Sequence, residues 1–276
     1  QIGMIASTRK GTSSGGRKPL LYEANKEFWY IIGVDLRATH FYIFVSDLKA
    51  NVVHSHIVEL QACSYDQYLE ALTSAMSGVK AALALPQDRI LGVGMSVSGV
   101  TDFENQIIDR SNELDWTEKP LGADLSARLG VPVFIDTEVR IYVRNEIELD
   151  QSNNVTTALY INEGIGLALI INNTIFHGYT NRAGDNRFFG KEIDKLYHVL
   201  RTDALIRKIN SLPYYSASIR RDQVDDLNEQ FIKHAADPKV RAQMDAFTMH
   251  IARLMIAQTQ MLNPKKVLLT GKIGRA

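Results

Sequence analysis

The sequence predicts an α/β protein made of two similar halves that face each other across a cleft. Three observations predict it. Apolar residues make up 45% and charged residues 22% of 276 residues, the composition of a soluble globular chain long enough for two full cores. β-branched and aromatic runs alternate with stretches whose apolar residues recur at helical spacing. The order strand, strand, hairpin, strand then begins once near Trp29 and again near Asn154, an internal repeat of architecture.

Each element follows from local pattern. Trp29–Asp35 and Phe41–Ser46 read as strands, and the turn DLKAN leads into a third at Val52–Leu60. Ser64 and Gln67 form an N-terminal capping box for a helix with Leu69, Leu72, Met76, Val79 and Leu83 on one face, ended before Pro86. A buried strand, Ile90–Val97, precedes a long loop, a short helix near Leu121–Leu129, the strand Val131–Ile135 and a helix through Glu148. The second half opens with NVTTALYI, GLALIIN and NTIFHG as three strands. Helices follow at about 192–209, 221–235 and 238–262. In the last, Asp237 is the N-cap, Pro238 occupies the first helical position, and Val240, Met244, Phe247, Ile251 and Leu254 form the buried stripe. Two such halves describe an actin-like ATPase fold. The boundaries are 1–24 for an opening arm, 25–150 for the first half and 151–276 for the second.

Composition excludes several classes. The single cysteine, Cys63, rules out an internal disulfide and any multi-cysteine metal site built from this chain alone, and reads as a small buried hydrophobe. His54 and His56 lie two apart on a strand and, with no third ligand, read as a surface pair. No apolar run reaches the roughly 18 residues of a membrane span and no secretory signal opens the chain, so a cytoplasmic location is expected. Net charge is zero, yet Arg9, Lys10, Arg17 and Lys18 give residues 1–19 a charge of +4, leaving −4 for the rest. A basic arm thus precedes a mildly acidic body. Both ends read as interrupted: the chain starts on Gln1 rather than Met, and KKVLLTGKIGRA stops after a strand and a Gly turn.

The ordered set GTSSGGRKP, IIGVD, GVGMSVSGVTD, RSNELDW, LGVPVFIDTEV, EGIGLALIINNTIFHG, RAGD and LNPKKVLLTG resembles the ROK family of sugar kinases and sugar-responsive repressors, from about Gly11 to Thr270. In its kinases a first turn reads Asp-Ile-Gly-Gly-Thr, whose glycines let the backbone approach ATP phosphates. Here the matching residues are Asp35, Leu36, Arg37, Ala38 and Thr39, and both glycines are gone. Arg37 would fill the open space and face solvent or Asp35, with phosphate pairing the alternative. The second phosphate loop, Gly-Thr-Gly-Ile-Gly, becomes Asn162, Glu163, Gly164, Ile165 and Gly166. Glu163 would repel a polyphosphate by as much as a few kcal/mol, while the two glycines also suit a tight strand connection.

The kinase base, the Asp of Glu-Asn-Asp-Ala-Asn, matches Glu138 in the run Asp136, Thr137, Glu138, Val139, Arg140. Glu138 is one methylene longer, a displacement that can cost on the order of 100-fold, and Arg140 could lock it in an ion pair. Asp136 is expected on the wrong face of its strand end. The sugar-binding Gly-Glu-Ile-Gly-His segment matches Gly184, Asp185, Asn186, Arg187 and Phe188; Tyr197 falls near a further sugar-contacting Glu, and the Cys-rich zinc loop is missing. Asn112 and the small turn Ser98-Gly99 keep the outline of a polyol site. The resemblance therefore implies an effector site at Ser98, Gly99, Asn112, Glu138 and Asp185, no cofactor, no metal and no catalytic residue, with a glucokinase-like sugar kinase using Glu138 as base the alternative.

The arm decides between the branches of the family. Its repressors, those of xylose and N-acetylglucosamine metabolism among them, carry a winged helix-turn-helix whose wing and linker read Ser-Ser-Gly-Gly-Arg-Lys-Pro, as Ser13 to Pro19 do here, and IGMIAS would be the wing's first strand. The resemblance implies that Arg9, Lys10, Arg17 and Lys18 contact an operator, with a solvated linker the alternative reading. It implies a transcriptional repressor of carbohydrate metabolism, a homodimer or homotetramer responding to a sugar or sugar derivative, with no membrane partner. The recognition helix would precede Gln1.

Overall fold

The computed structural model describes residues 3–10, 20–61, 63–149, 155–161, 165–184, 202–212 and 227–271. The chain divides into two compact units, Gln1–Thr137 and Glu138–Ala276.

The first unit opens with an antiparallel two-stranded ribbon, β1 (Ile5–Lys10) and β2 (Leu20–Ala24). A five-stranded sheet follows, built from β3 (Tyr30–Leu36), β4 (His40–Asp47), β5 (Val52–Glu59), β6 (Ile90–Val97) and β10 (Val133–Thr137), in the order β10-β6-β3-β4-β5. The period-2 pattern aims Ile32, Val34, Leu36, Phe41, Ile43, Val45, Val93, Met95 and Ile135 at one face. Two helices cover that face, α1 (Tyr65–Ala82) with Leu69, Leu72, Met76 and Val79, and α2 (Leu121–Leu129) with Leu121 and Leu125. The other face leaves Ile31, Tyr42, Phe44 and Phe134 exposed.

The capping box is present. Ser64 accepts from the Gln67 N–H and the Gln67 side chain accepts from the Ser64 N–H at 2.9 Å. Ser64→Ala removes one half of this reciprocal pair at an exposed position, so a loss of about 1 kcal/mol is expected in urea denaturation, with an unchanged m-value.

The stretch between Val97 and Leu121, read as a long loop from the sequence, instead holds a three-stranded antiparallel sheet: β7 (Val100–Asp102), β8 (Ile107–Ser111) and β9 (Trp116–Lys119). Its strands are too short to show a period. Non-glycine residues in the left-handed region, Gln106 (φ 57°) and Asp115 (φ 55°), make its turns without a Gly signal.

In the second unit, β11 (Thr156–Ile161), β12 (Ile165–Ile171), β13 (Thr174–Ile175) and β14 (Lys266–Gly271) make a sheet in the order β13-β12-β11-β14. β11 pairs antiparallel with β12 and parallel with β14, and β12 pairs antiparallel with β13. β3 likewise pairs antiparallel with β4 and parallel with β6, and β4 pairs antiparallel with β5. The repeat seen in the sequence is a repeat of sheet topology. Helix α3 (Glu138–Leu149) packs on β11, β12 and β13. The remaining described helices are α4 (Thr202–Asn210), α5 (Leu227–His234) and α6 (Pro238–Leu262). Asp237 caps α6 by accepting from Lys239 and Val240 N–H groups, and Val240, Phe247 and Ile251 are buried. The expected helical residues 192–201 and 221–226 lie outside the described residues.

Candidate functional site

Three parallel strands of the first sheet end side by side, and register puts Asp35, Ser96 and Asp136 in one row across β3, β6 and β10. Carboxyl ends of parallel strands are where open α/β sheets bind ligands, because the chain turns away there and leaves side chains and backbone donors uncovered. Asp35 accepts from the Ser96 hydroxyl. Asp136 is buried and accepts from Thr101 Oγ1 at 3.4 Å and from the Thr137 N–H at 2.8 Å. Those bonds turn Asp136 toward β7, within its own unit.

Of the two courses expected of Arg37, toward solvent or toward Asp35, it takes the second. Its Nη2 and Nε lie 2.9 and 3.1 Å from Asp35 Oδ2. The β3–β4 turn is held on both sides: the Arg37 N–H donates to His40 O at 3.0 Å, and the Tyr68 hydroxyl donates to Arg37 O at 2.9 Å. Burial pushes the Tyr68 phenol pKa upward, so the group stays protonated and able to donate.

Asn112 sits exposed on the β8–β9 turn. Several contacts fix that turn. The buried Trp116 ring lies 5.1 and 5.0 Å, edge to face, from Tyr65 and Tyr68 of α1. Ser111 Oγ accepts from the Leu114 N–H at 3.3 Å. Glu113, next to Asn112, reaches back to the β3–β4 turn, where its Oε1 accepts from the Ala38 N–H at 3.4 Å and its Oε2 is 4.0 Å from Arg37 Nη1. Sequence reasoning passed over Glu113, because its partners lie 75 residues away and no local pattern marks it. Ser98 and Gly99 lie between β6 and β7. Gly99 has φ +146°, and a Cβ there would stand 2.3 Å from Arg110 O.

In the second unit Glu138, half-buried, begins α3. Arg140 Nη2 donates to Asn181 O at 2.7 Å and Ala183 O at 3.2 Å, tying α3 to the segment before Gly184. Gly166 pairs with Tyr160, and a Cβ on it would meet Val139 of α3 at 2.9 Å. Gly184, at φ +88°, lies so close to β12 that a Cβ would stand 2.0 Å from Leu167 O. Packing alone thus demands both glycines. Asn162, Glu163, Gly164, Asp185 and Tyr197 lie outside the described residues. Among the described residues no group of three or more His, Cys, Asp or Glu could hold a metal ion, and His54 and His56 stack at 6.4 Å.

The ribbon runs into the first sheet through Asn25 and Phe28. Asn25 donates from N to Met4 O at 2.7 Å and from Nδ2 to Gly3 O at 3.0 Å. Lys49 Nζ pairs with Glu23 at 3.0 Å. Arg89 donates to Phe28 O at 3.0 Å and lies 4.8 Å over the Phe28 ring, which is buried. Arg9 and Lys10 end β1; Arg17 and Lys18 lie outside the described residues.

The sequence pattern of the ROK family matches residues 31–186. The chain belongs to the ROK family. A xylose repressor of Caldicellulosiruptor bescii is 29% identical over 187 residues, 66% of this chain and 47% of its own length. The chain therefore spans about half of that relative. A solved ROK family transcriptional regulator, a homologue of the E. coli MLC protein, superposes with a TM-score of 0.79 at 18% identity, covering 100% of this chain and 74% of that one. A ROK family glucokinase from Streptomyces griseus, solved with glucose and AMPPNP, gives 0.70 at 18% identity over 88% of this chain and 83% of that one. The fold is the mixed α/β ROK fold shared with sugar kinases. Repressor and kinase names both occur among the relatives. Among the described residues no helix is long and apolar enough to cross a membrane.

Proposed function

We propose that this ROK chain is the effector-binding body and DNA-contacting wing of a cytoplasmic transcriptional repressor of carbohydrate metabolism, without kinase activity. The observation that carries this reading is the β1–β2 ribbon. It is an antiparallel pair whose connecting segment, Gly11–Pro19, holds Arg17 and Lys18 and no acid, ahead of a body of net charge −4. Such a ribbon can enter a groove and neutralise phosphates, whereas a sugar kinase has no use for it. The Asn25 bonds to Met4 and Gly3 close the base of this ribbon where it enters the body. The xylose repressor relative makes D-xylose the first effector to try.

The proposed effector residues are Ser98, Gly99 and Asn112 of the first unit and Glu138 and Asp185 of the second. The missing glycines and the Arg37–Asp35 pair in the β3–β4 turn support a loss of phosphate chemistry. A homodimer or homotetramer would present two wings to operator half-sites.

The test uses the full-length gene product, DNA from upstream of its own gene, and a panel of neutral sugars opening with D-xylose. Nanomolar DNA binding released by one sugar is expected, together with background rates in a coupled phosphorylation assay. ATP-dependent turnover above about 1 per second would establish the alternative, a kinase using Glu138 as base.

A further inference from the structure

We infer that Glu113 is a specificity-determining residue of the first unit, a built-in anion that closes the β3–β4 turn to phosphorylated ligands. This deepens the effector reading and rests on it only for the role of the neighbouring Asn112.

Two donors converge on the Glu113 carboxylate, the Ala38 N–H on Oε1 at 3.4 Å and Arg37 Nη1 near Oε2 at 4.0 Å. A backbone amide and a guanidinium side by side are what an anionic group seeks, and a phosphate would ask for both. The turn cannot easily offer them elsewhere. His40 O and the Tyr68 hydroxyl hold the Arg37 backbone, and Arg37 Nη2 and Nε are engaged by Asp35.

The other end of the contact is held as well. Trp116, clamped between Tyr65 and Tyr68, and the Leu114–Ser111 bond fix the β8–β9 turn. Asp35 and Glu113 both lie against Arg37, and the Arg37 and Glu113 side chains are only 16% and 23% exposed, so screening is weakened. An arriving phosphate would have to expel Glu113 and then face two carboxylates. An uncharged hydroxyl at Asn112 meets no such obstacle. The same residue that shuts out phosphate therefore leaves its neighbour available to a neutral polyol, and the selection is by charge rather than by shape.

The experiment titrates inorganic pyrophosphate into the full chain at low salt by calorimetry, with no DNA or sugar present. Glu113→Ala is expected to bind pyrophosphate at least about tenfold more tightly than the unaltered chain, and Arg37→Ala in that background is expected to abolish the gain. Glu113→Gln, which keeps the shape and removes the charge, carries the same test should the alanine variant fold poorly. Hydrogen exchange at the Ala38 amide is expected to quicken in Glu113→Ala. Equal pyrophosphate affinity in altered and unaltered chains, or an unchanged Ala38 exchange rate, would overturn the inference. Failure of the regulator reading would instead appear in the operator and sugar titrations, which this experiment does not use.

Discussion

With Arg17 and Lys18 both replaced by alanine in the full-length protein, operator binding is expected to weaken by about 30-fold at 0.15 M salt, and the log–log salt slope to flatten by about 1.8. Both figures follow from two lost phosphate contacts at roughly 0.9 counterions each. The effect should be large here because the rest of the chain carries −4 and repels DNA, so the basic arm provides the local attraction. A filter-binding or anisotropy series from 50 to 300 mM salt measures it. Should one of the pair read a base edge instead, the loss would be about 1–3 kcal/mol at particular operator positions, with a smaller change in slope. Unchanged affinity and slope would mean that GTSSGGRKP only links the ribbon strands.

Gly99→Ala is expected to destabilise the protein by roughly 2–4 kcal/mol, read from the urea midpoint. Two physical costs add. At φ +146° an L side chain is strained, and its Cβ would stand 2.3 Å from Arg110 O and 3.0 Å from Ser111 Cα, both backbone atoms that cannot swing aside. The strand pushed away is β8, which leads into the turn bearing Asn112 and Glu113, so sugar response should fall along with stability. Ser98→Ala is the matched comparison. Ser98 is half-buried, and its loss of a hydroxyl should change stability by under about 1 kcal/mol. Equal midpoints for the two variants would show that β8 does not lie against Gly99 in solution.

Much of the candidate site's outline is legible in the sequence because it rests on short-range rules. For Arg37 the sequence left two courses, solvent or Asp35 two residues away, since a hairpin flank brings such neighbours together. The strand-end position of Asp35, the first-turn position of Glu138 and the turn at Ser98-Gly99 likewise follow from local period and turn chemistry. The partners of Asp136 and Glu113 do not. Thr101 is 35 residues from Asp136, and Ala38 is 75 residues from Glu113.

The sequence by itself determined the longer elements and their repetition. A capping box, a Pro at the first turn of a helix, and alternating strands are each decided within a few residues by backbone hydrogen bonding and side-chain period. The basic arm was equally plain, since charge is additive and needs no fold. Tertiary structure alone decided three things. It paired β11 with β14 across more than 100 residues, reproducing the β3–β6 pairing of the first unit. It converted the stretch after Val97 into a small sheet, whose strands of three to five residues carry too few side chains to show a period and are held by ladder bonds and by buried residues such as Val100, Ile108 and Trp116. And it set Glu113 against the β3–β4 turn. Contacts between distant segments depend on which apolar faces find each other, and no local preference encodes that choice.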